Sequence, residues 1–273
     1  MQGLAVLKLL ASGRAQQEAT MSQANGFEFE DRFLKAYFSD GIAVMRVQAD
    51  SVATLTDLAE SGRFLKLFHE GEVNNQVRAL LLMGNPGGFA DGEYEKFICK
   101  EEAALGQPGQ ATHLKTQVVR HINILNRIVT QMAEFKKIFA VGLQQSVVTP
   151  FFGASLAADF RFASRDMFFS PAHCRHGLHP TGALPYFLPR YVGQGKAAEI
   201  LFKGEALDAA TLLDLGLITE VLPADDFERR CIEALQPWCA LSGEVILSSK
   251  LLLNHANRLG LKRYFDTEAA LLH

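Results

Sequence analysis

The chain has no CxxC pair and no cysteine or histidine spacing suited to zinc, since Cys99, Cys174, Cys231 and Cys239 are scattered through its 273 residues. That excludes a thiolate zinc ribbon and argues against a disulfide framework, so free thiols in a reducing, cytoplasmic setting are expected. The chain also lacks any run of about 20 apolar residues, which a membrane-spanning helix requires. Its opening stretch, MQGLAVLKLLASGRAQQEA, holds only a short apolar run with no basic segment before it. Residues 1–25 are therefore expected to be a leader ahead of a soluble folded domain rather than a signal or an anchor. Positive charge is not in excess, with 27 Lys and Arg against 30 Asp and Glu, so a nucleic-acid partner is not expected. Neither GxxxxGKS/T nor a GxGxxG opening a helix is present, which removes the P-loop and dinucleotide-binding classes. Flexible linkers and internal repeats are missing too, and one core domain with a helical C-terminal extension is the economical parse.

What the chain does have is an apolar pattern that switches between two periods. Short β-rich runs at 42–47, 77–83 and 138–141 are separated by stretches with helical spacing. The clearest helix lies before the third run, where Leu114, Val118, Ile122, Leu125, Ile128, Val129 and Met132 recur at helical intervals with Lys115, Arg120, Asn123 and Arg127 between them. Strands alternating with helices of this length imply parallel pairing and an α/β class. After Gly193 helix signals dominate. Asp208 can cap a helix over 209–215, and Gly216 can end it in a left-handed conformation. A short strand at 217–222 and helices at 225–236 and 242–259 follow, with Pro237 disturbing the junction between the two helices.

Two segments carry possible chemistry. The turn GNPGGFADGEY, from Gly84 to Tyr94, follows a strand directly, and its four glycines free the backbone to approach a ligand. The segment FFSPAHCRHGLHPTGALPYFLPRYVG, from Phe168 to Gly193, places His173, His176 and His179 in an apolar, proline-punctuated setting. Imidazole titrates near neutral pH, which suits proton transfer, although a buried histidine is also commonly a hydrogen-bonded core residue. A three-histidine metal site is not expected, because i, i+3, i+6 spacing across Gly177 and Pro180 gives no common ligand geometry. Cys174 beside His173 invites a thiol nucleophile, but neighbours in an extended chain point to opposite sides.

The order of these segments resembles the crotonase (enoyl-CoA hydratase/isomerase) superfamily over roughly residues 27–255. GNPGGFADGEY resembles that family's loop after its strand. Residues 138–164, ending ADFRFAS, resemble its second loop, helix and following strand. The histidine-rich segment and KAAEILFKGEALDAATLLDLGLITEVLP match the next two family stretches in order. The resemblance implies a ββα spiral core over 26–200 and a C-terminal helical region over 201–273 that assembles trimers or hexamers. It also implies an acyl thioester of CoA or of an acyl-carrier protein as substrate, with the carrier's phosphopantetheine part of the substrate and no cofactor or metal. The family mechanism holds a thioester oxyanion between two backbone N–H groups.

Carried onto this chain, the first N–H falls on Glu93, with Phe89, Ala90 and Gly92 around the substrate. The position of the second falls on Pro150, which has no N–H. Either Phe151 donates instead or the oxyanion hole is incomplete. The first glutamate of a hydratase is replaced by Gly153, and the second aligns with His173 or, in the other register, with Ala172. Ordinary hydration is therefore not expected. The dehalogenase-like branch shares an F-x-P-A pattern, but its nucleophilic aspartate falls on Thr181. His173 is left as the acid/base candidate. Tyr94 is a possible hydrogen-bond donor, Ser170 and Thr181 flank the pocket, and Lys250 is placed to reach a CoA phosphate. The expected function is an atypical lyase or isomerase working through an enolate; a non-catalytic binding module and a β-diketone C–C hydrolase are the alternatives.

Overall fold

The computed structural model describes residues 27–48, 51–105 and 111–271, without the side chains at 53, 59, 100–105, 111–119 and 256–259. The expected leader lies outside these residues. In chain order the strands are β1 (Phe29–Glu30), β2 (Leu34–Ser39), β3 (Ile42–Val47), β4 (Ala79–Gly84), β5 (Ile138–Leu143), β6 (Ser146–Val148), β7 (Phe160–Ser164), β8 (Phe168–Ser170), β9 (Leu207–Asp208) and β10 (Glu220–Leu222). The helices are α1 (Ser51–Thr56), α2 (Leu58–Val73), α3 (Asp91–Leu105), α4 (Ala111–Glu134), α5 (Thr149–Ser155), α6 (Ala172–Arg175), α7 (Leu184–Lys203), α8 (Ala209–Asp214), α9 (Phe227–Cys239) and α10 (Gly243–Ala270).

A seven-stranded sheet runs β1-β2-β3-β4-β5-β7-β10, parallel from β3 onward and antiparallel at its β1-β2-β3 edge. Its central strands are apolar at nearly every position because both faces are covered. Successive residues alternate between two cores. Ala43, Met45, Leu80, Leu82, Phe139 and Val141 enter the larger one, and Ile42, Val44, Leu81, Met83 and Ala140 the smaller. A second, three-stranded sheet, β6-β8-β9, receives the strand that follows β5 and the strand that follows β7. Each of those strands leads into a short helix, α5 or α6, so the strand-strand-helix unit recurs along the spiral.

The helix read at 114–132 is α4, and its wet and buried faces fall as the spacing requires for the described side chains: Leu125, Ile128, Val129 and Met132 are buried, Asn123 and Arg127 exposed. Leu114 and Val118 lie outside the described side chains. Asp208 caps α8 by accepting from the Thr211 N–H at 2.8 Å, and Gly216 takes φ +69° after it. Pro237 does not separate two helices; it sits inside α9, which runs on to Cys239. The region from 201 onward also does more than extend the core. Strands β9 and β10 complete the two sheets, and Phe227, Cys231 and Leu235 of α9 cover the second face of the large one. The run at 207–208 has too few residues to announce a strand by pattern, and the strand read at 217–222 is β10, shorter than expected at 220–222; pairing with β8 and β7 supplies their backbone partners.

Candidate active site

Strand β4 delivers the first loop. Its end at Gly84 has Phe89 lying against it, and a Cβ there would meet the Phe89 ring at 2.6 Å. The turn closes through Gly88 N–H to the Asn85 carbonyl at 2.8 Å and Ala90 N–H to the Gly87 carbonyl at 3.1 Å, and α3 then starts at Asp91. Gly92 and Glu93 fall in the first turn of α3, where backbone N–H groups have no partner four residues back within the helix and the helix dipole favours negative charge. The second loop follows β6. Val148 N–H donates to the Phe89 carbonyl at 2.9 Å, and the Phe89 and Phe151 rings stand 4.4 Å apart, so the starts of α3 and α5 are neighbours. Thr149, Pro150 and Phe151 form the first turn of α5, all buried.

His173 stands on α6 against that turn, 4% exposed. Its Nδ1 is 2.7 Å from the Thr149 hydroxyl, and its Nε2 is 3.4 Å from the Leu201 carbonyl. A carbonyl only accepts, so the partners assign the proton to Nε2 and leave Nδ1 to accept from Thr149. Burial, the largest cause, holds the imidazole below its ordinary range; charge on His179 acts in the same direction, while the Leu201 carbonyl opposes it. The ring is therefore a neutral base.

Cys174 does not point away from His173. Residues 172–175 form a helical turn instead of an extended segment, and the Cys174 thiol lies 3.4 Å from His173 Nε2 and 3.2 Å from the Leu201 carbonyl.

Tyr94 is buried, meets the His176 ring edge-on at 5.8 Å, and has its phenol pushed up to about 12 by burial, so it stays protonated. Ser170, 1% exposed, donates to Asp91 at 2.8 Å. Thr181 and Gly182 turn the chain into α7. Gly182 has φ +68°, and a Cβ on it would lie 2.0 Å from the Pro150 carbonyl oxygen. A Cβ on Gly153 would lie 2.6 Å from the Gly182 carbonyl and 2.8 Å from Leu184 Cβ. The 182–184 turn fills the space that any side chain at 153 would need.

The fold thus brings together Phe89, Ala90, Gly92, Glu93, Tyr94, Phe151, Ser170 and His173, while Lys250 stands apart. Its ammonium is buried and engaged by the Asp159 carboxylate at 2.6 Å and the Lys137 carbonyl at 2.7 Å. It lines a cavity of about 940 Å³ between α4, α7, α9 and α10, with Tyr186, Arg190, Trp238 and Leu253 among its walls. Cavity size alone would place a site there, yet no other candidate residue faces it.

Four groups at the site had little or no signal in the sequence: Asp91, Ser146, Arg175 and the Thr149 hydroxyl. Asp91 lies in the singled-out loop and Arg175 in the histidine-rich segment, but their meeting depends on β6 and β8 pairing. Among the described residues no group of three or more His, Cys, Asp or Glu side chains is arranged to hold a metal ion, and no helix is long and apolar enough to cross a membrane.

A spiral of strand-strand-helix units, with one helix start after β4 beside a second after β6, defines an α/β protein of the crotonase fold. The profile of the enoyl-CoA hydratase/isomerase family matches residues 37–273, and the chain belongs to that family. It is 25% identical over 161 residues to a probable enoyl-CoA hydratase of Mycobacterium bovis, covering 58% of this chain and 54% of that protein. The chain therefore spans about half the length of this relative. It is 22% identical over 201 residues to a 4-chlorobenzoyl coenzyme A dehalogenase of an Arthrobacter species, covering 73% of this chain and 70% of that one. In structure it resembles an enoyl-CoA hydratase of Bacillus halodurans with a TM-score of 0.74 at 18% identity, over 88% of this chain and 93% of the other. That likeness shows the fold.

Proposed function

We propose that the protein is an acyl-CoA thioester enzyme of lyase or isomerase type, which stabilises an enolate at the starts of α3 and α5 and moves the proton with His173. The observation that carries this reading is the 2.7 Å contact of a neutral His173 Nδ1 with Thr149, the residue that opens the helix bearing Phe151. In this chemistry a base takes the proton α to the thioester carbonyl, the electron pair moves onto the carbonyl oxygen, and the N–H groups of Glu93 and Phe151 hold the oxyanion. His173 then returns the proton at another carbon. The proton passes through the Thr149 hydroxyl, which gives its own hydrogen to Nδ1 as it receives one from the substrate. CoA is part of the substrate here, and no metal or redox cofactor takes part.

Packing at 150–153 favours a second reading, a non-catalytic acyl-thioester or protein-binding member. Pro150 supplies no N–H, and the turn at Gly182 and Leu184 fills the space that a side chain at 153 would need. Self-association as a trimer or hexamer is also part of the proposal, supported by Val245, Leu251, Leu252 and Leu253 standing exposed on α10.

The test is mass-spectrometric turnover of enoyl-, 3-hydroxyacyl- and malonyl-CoA by the purified protein, followed by the His173→Ala variant. A product with wild type and a loss of roughly 10²- to 10⁴-fold in kcat with the variant is the expected result. Unchanged turnover in the variant removes His173 from the mechanism. Bound but unaltered thioesters throughout favour the second reading, and turnover of a β-diketone without CoA favours a C–C hydrolase.

A further inference from the structure

The Asp91 carboxylate is the meeting point of three segments that are remote in sequence. Its Oδ2 accepts from the Ser146 hydroxyl at 2.8 Å, and its Oδ1 accepts from the Ser170 hydroxyl at 2.8 Å and from the Arg175 guanidinium. Arg175 also donates to the Ser170 hydroxyl at 3.1 Å, closing the network. Ser146 opens β6, whose next residues are Val147, Val148 and the Thr149–Pro150–Phe151 turn. Ser170 ends β8 and stands three residues before His173, and Arg175 stands two residues after it. Asp91 itself is two residues before Glu93. One carboxylate therefore ties the start of α3 to the strand leading into α5 and to both sides of the histidine.

Geometry separates two roles for this group. A carboxylate offers about four lone-pair directions, and three donors already occupy Asp91, two of them hydroxyls on nearly buried serines. A group so engaged has little capacity left to accept a substrate proton, but it is well placed to hold its donors still. Charge-assisted bonds of this kind are the stronger class of hydrogen bond and fix orientation as well as distance.

We infer that Asp91 is the positioning residue of the site, setting the register between the Glu93 and Phe151 N–H groups and His173 through Ser146, Ser170 and Arg175. The inference rests on the enolate reading for its consequence in turnover, but the mechanical link itself does not.

The test uses the whole chain and two variants, Asp91→Asn, which keeps the shape and removes the charge, and Ser170→Ala, which removes one donor and leaves Asp91 in place. Amide hydrogen exchange is followed by mass spectrometry at 88–95, 146–152 and 168–176, with 209–236 as a control region. Asp91→Asn is expected to speed exchange in all three site segments at least several-fold and leave the control unchanged, with Ser170→Ala producing a smaller effect confined mainly to 168–176. Acceleration confined to the residues around 91 overturns the inference, whether or not any thioester is turned over.

The second readout is the carbonyl stretch of a bound acyl-CoA thioester, with kcat and KM where a substrate is found. Asp91→Asn should diminish the polarising downshift of that stretch and lower kcat about 10- to 100-fold while KM changes little. A rise in KM alone, with kcat and the carbonyl stretch unchanged, also overturns it. If no thioester binds even to wild type, the enolate reading fails, while the exchange pattern still decides whether Asp91 couples the three segments.

Discussion

Substituting Gly182 by alanine tests whether the turn before α7 is wedged against the first turn of α5. The added Cβ would lie 2.0 Å from the Pro150 carbonyl oxygen, 2.8 Å from its carbonyl carbon and 3.0 Å from its Cα. These are backbone atoms, so no side-chain rotation relieves the contact. The residue is also at φ +68°, where an L side chain costs about 1–2 kcal/mol in any surroundings. Overpacking adds about 1–3 kcal/mol, and the sum is about 2–5 kcal/mol. Gly177 is the matched control: it has φ +62° and nothing within 4 Å of an added Cβ, so Gly177→Ala should cost only the strain, about 1–2 kcal/mol. The gain from restricting the unfolded chain is common to both and cancels in the comparison. Urea unfolding, followed by far-UV circular dichroism and by the fluorescence of Trp238, the single tryptophan in the chain, measures both variants. With a slope near 3 kcal/mol/M, the midpoint should fall about 0.3–1 M further for Gly182→Ala than for Gly177→Ala. Equal shifts would refute the close packing of 182 on 150, and with it the claim that this turn fills the space beside Gly153.

Stability should also depend on pH through His173. Its folded pKa lies below the unfolded value near 6.5, so the unfolded chain binds more protons in the window between the two values. Stability is then fully present above about 6.5 and falls as the pH drops through the folded value. His173→Gln should flatten this part of the urea-midpoint profile between pH 7 and 5, and an unaltered slope would contradict the burial assigned to the ring. Lys250→Met should destabilise by about 2–4 kcal/mol, somewhat less than for a fully enclosed pair because the Asp159 side chain is 29% exposed. Adding Asp159→Leu to that variant should recover part of the loss in a thermal-melt cycle; strict additivity would show that the pair is not coupled.

The class of the protein was written in the chain itself. Apolar runs at 42–47 and 138–141 alternate with the amphipathic stretch that became α4, and parallel strands covered on both faces leave that pattern in any sequence. The loop at 84–94, the capping Asp208 and the left-handed Gly216 were legible for the same local reason: a tight turn, a helix cap and a positive φ each demand particular residue types. The strand at 217–222 was legible too, although only 220–222 pairs; the two-residue β9 was not, because its strand geometry comes from the neighbour it pairs with rather than from any period of its own. Nor was the approach of Cys174 to His173, which followed from reading 172–175 as extended when β8 ends and a helical turn begins. The site divides along the same line. His173 and the two helix starts were candidates from motif order, which is a property of the chain. The engagement of Lys250 with Asp159, the filling of position 153 by a turn thirty residues later, and the gathering of Ser146, Ser170 and Arg175 on Asp91 were decided only when the spiral closed, because each is a contact across a sequence separation that no local pattern encodes.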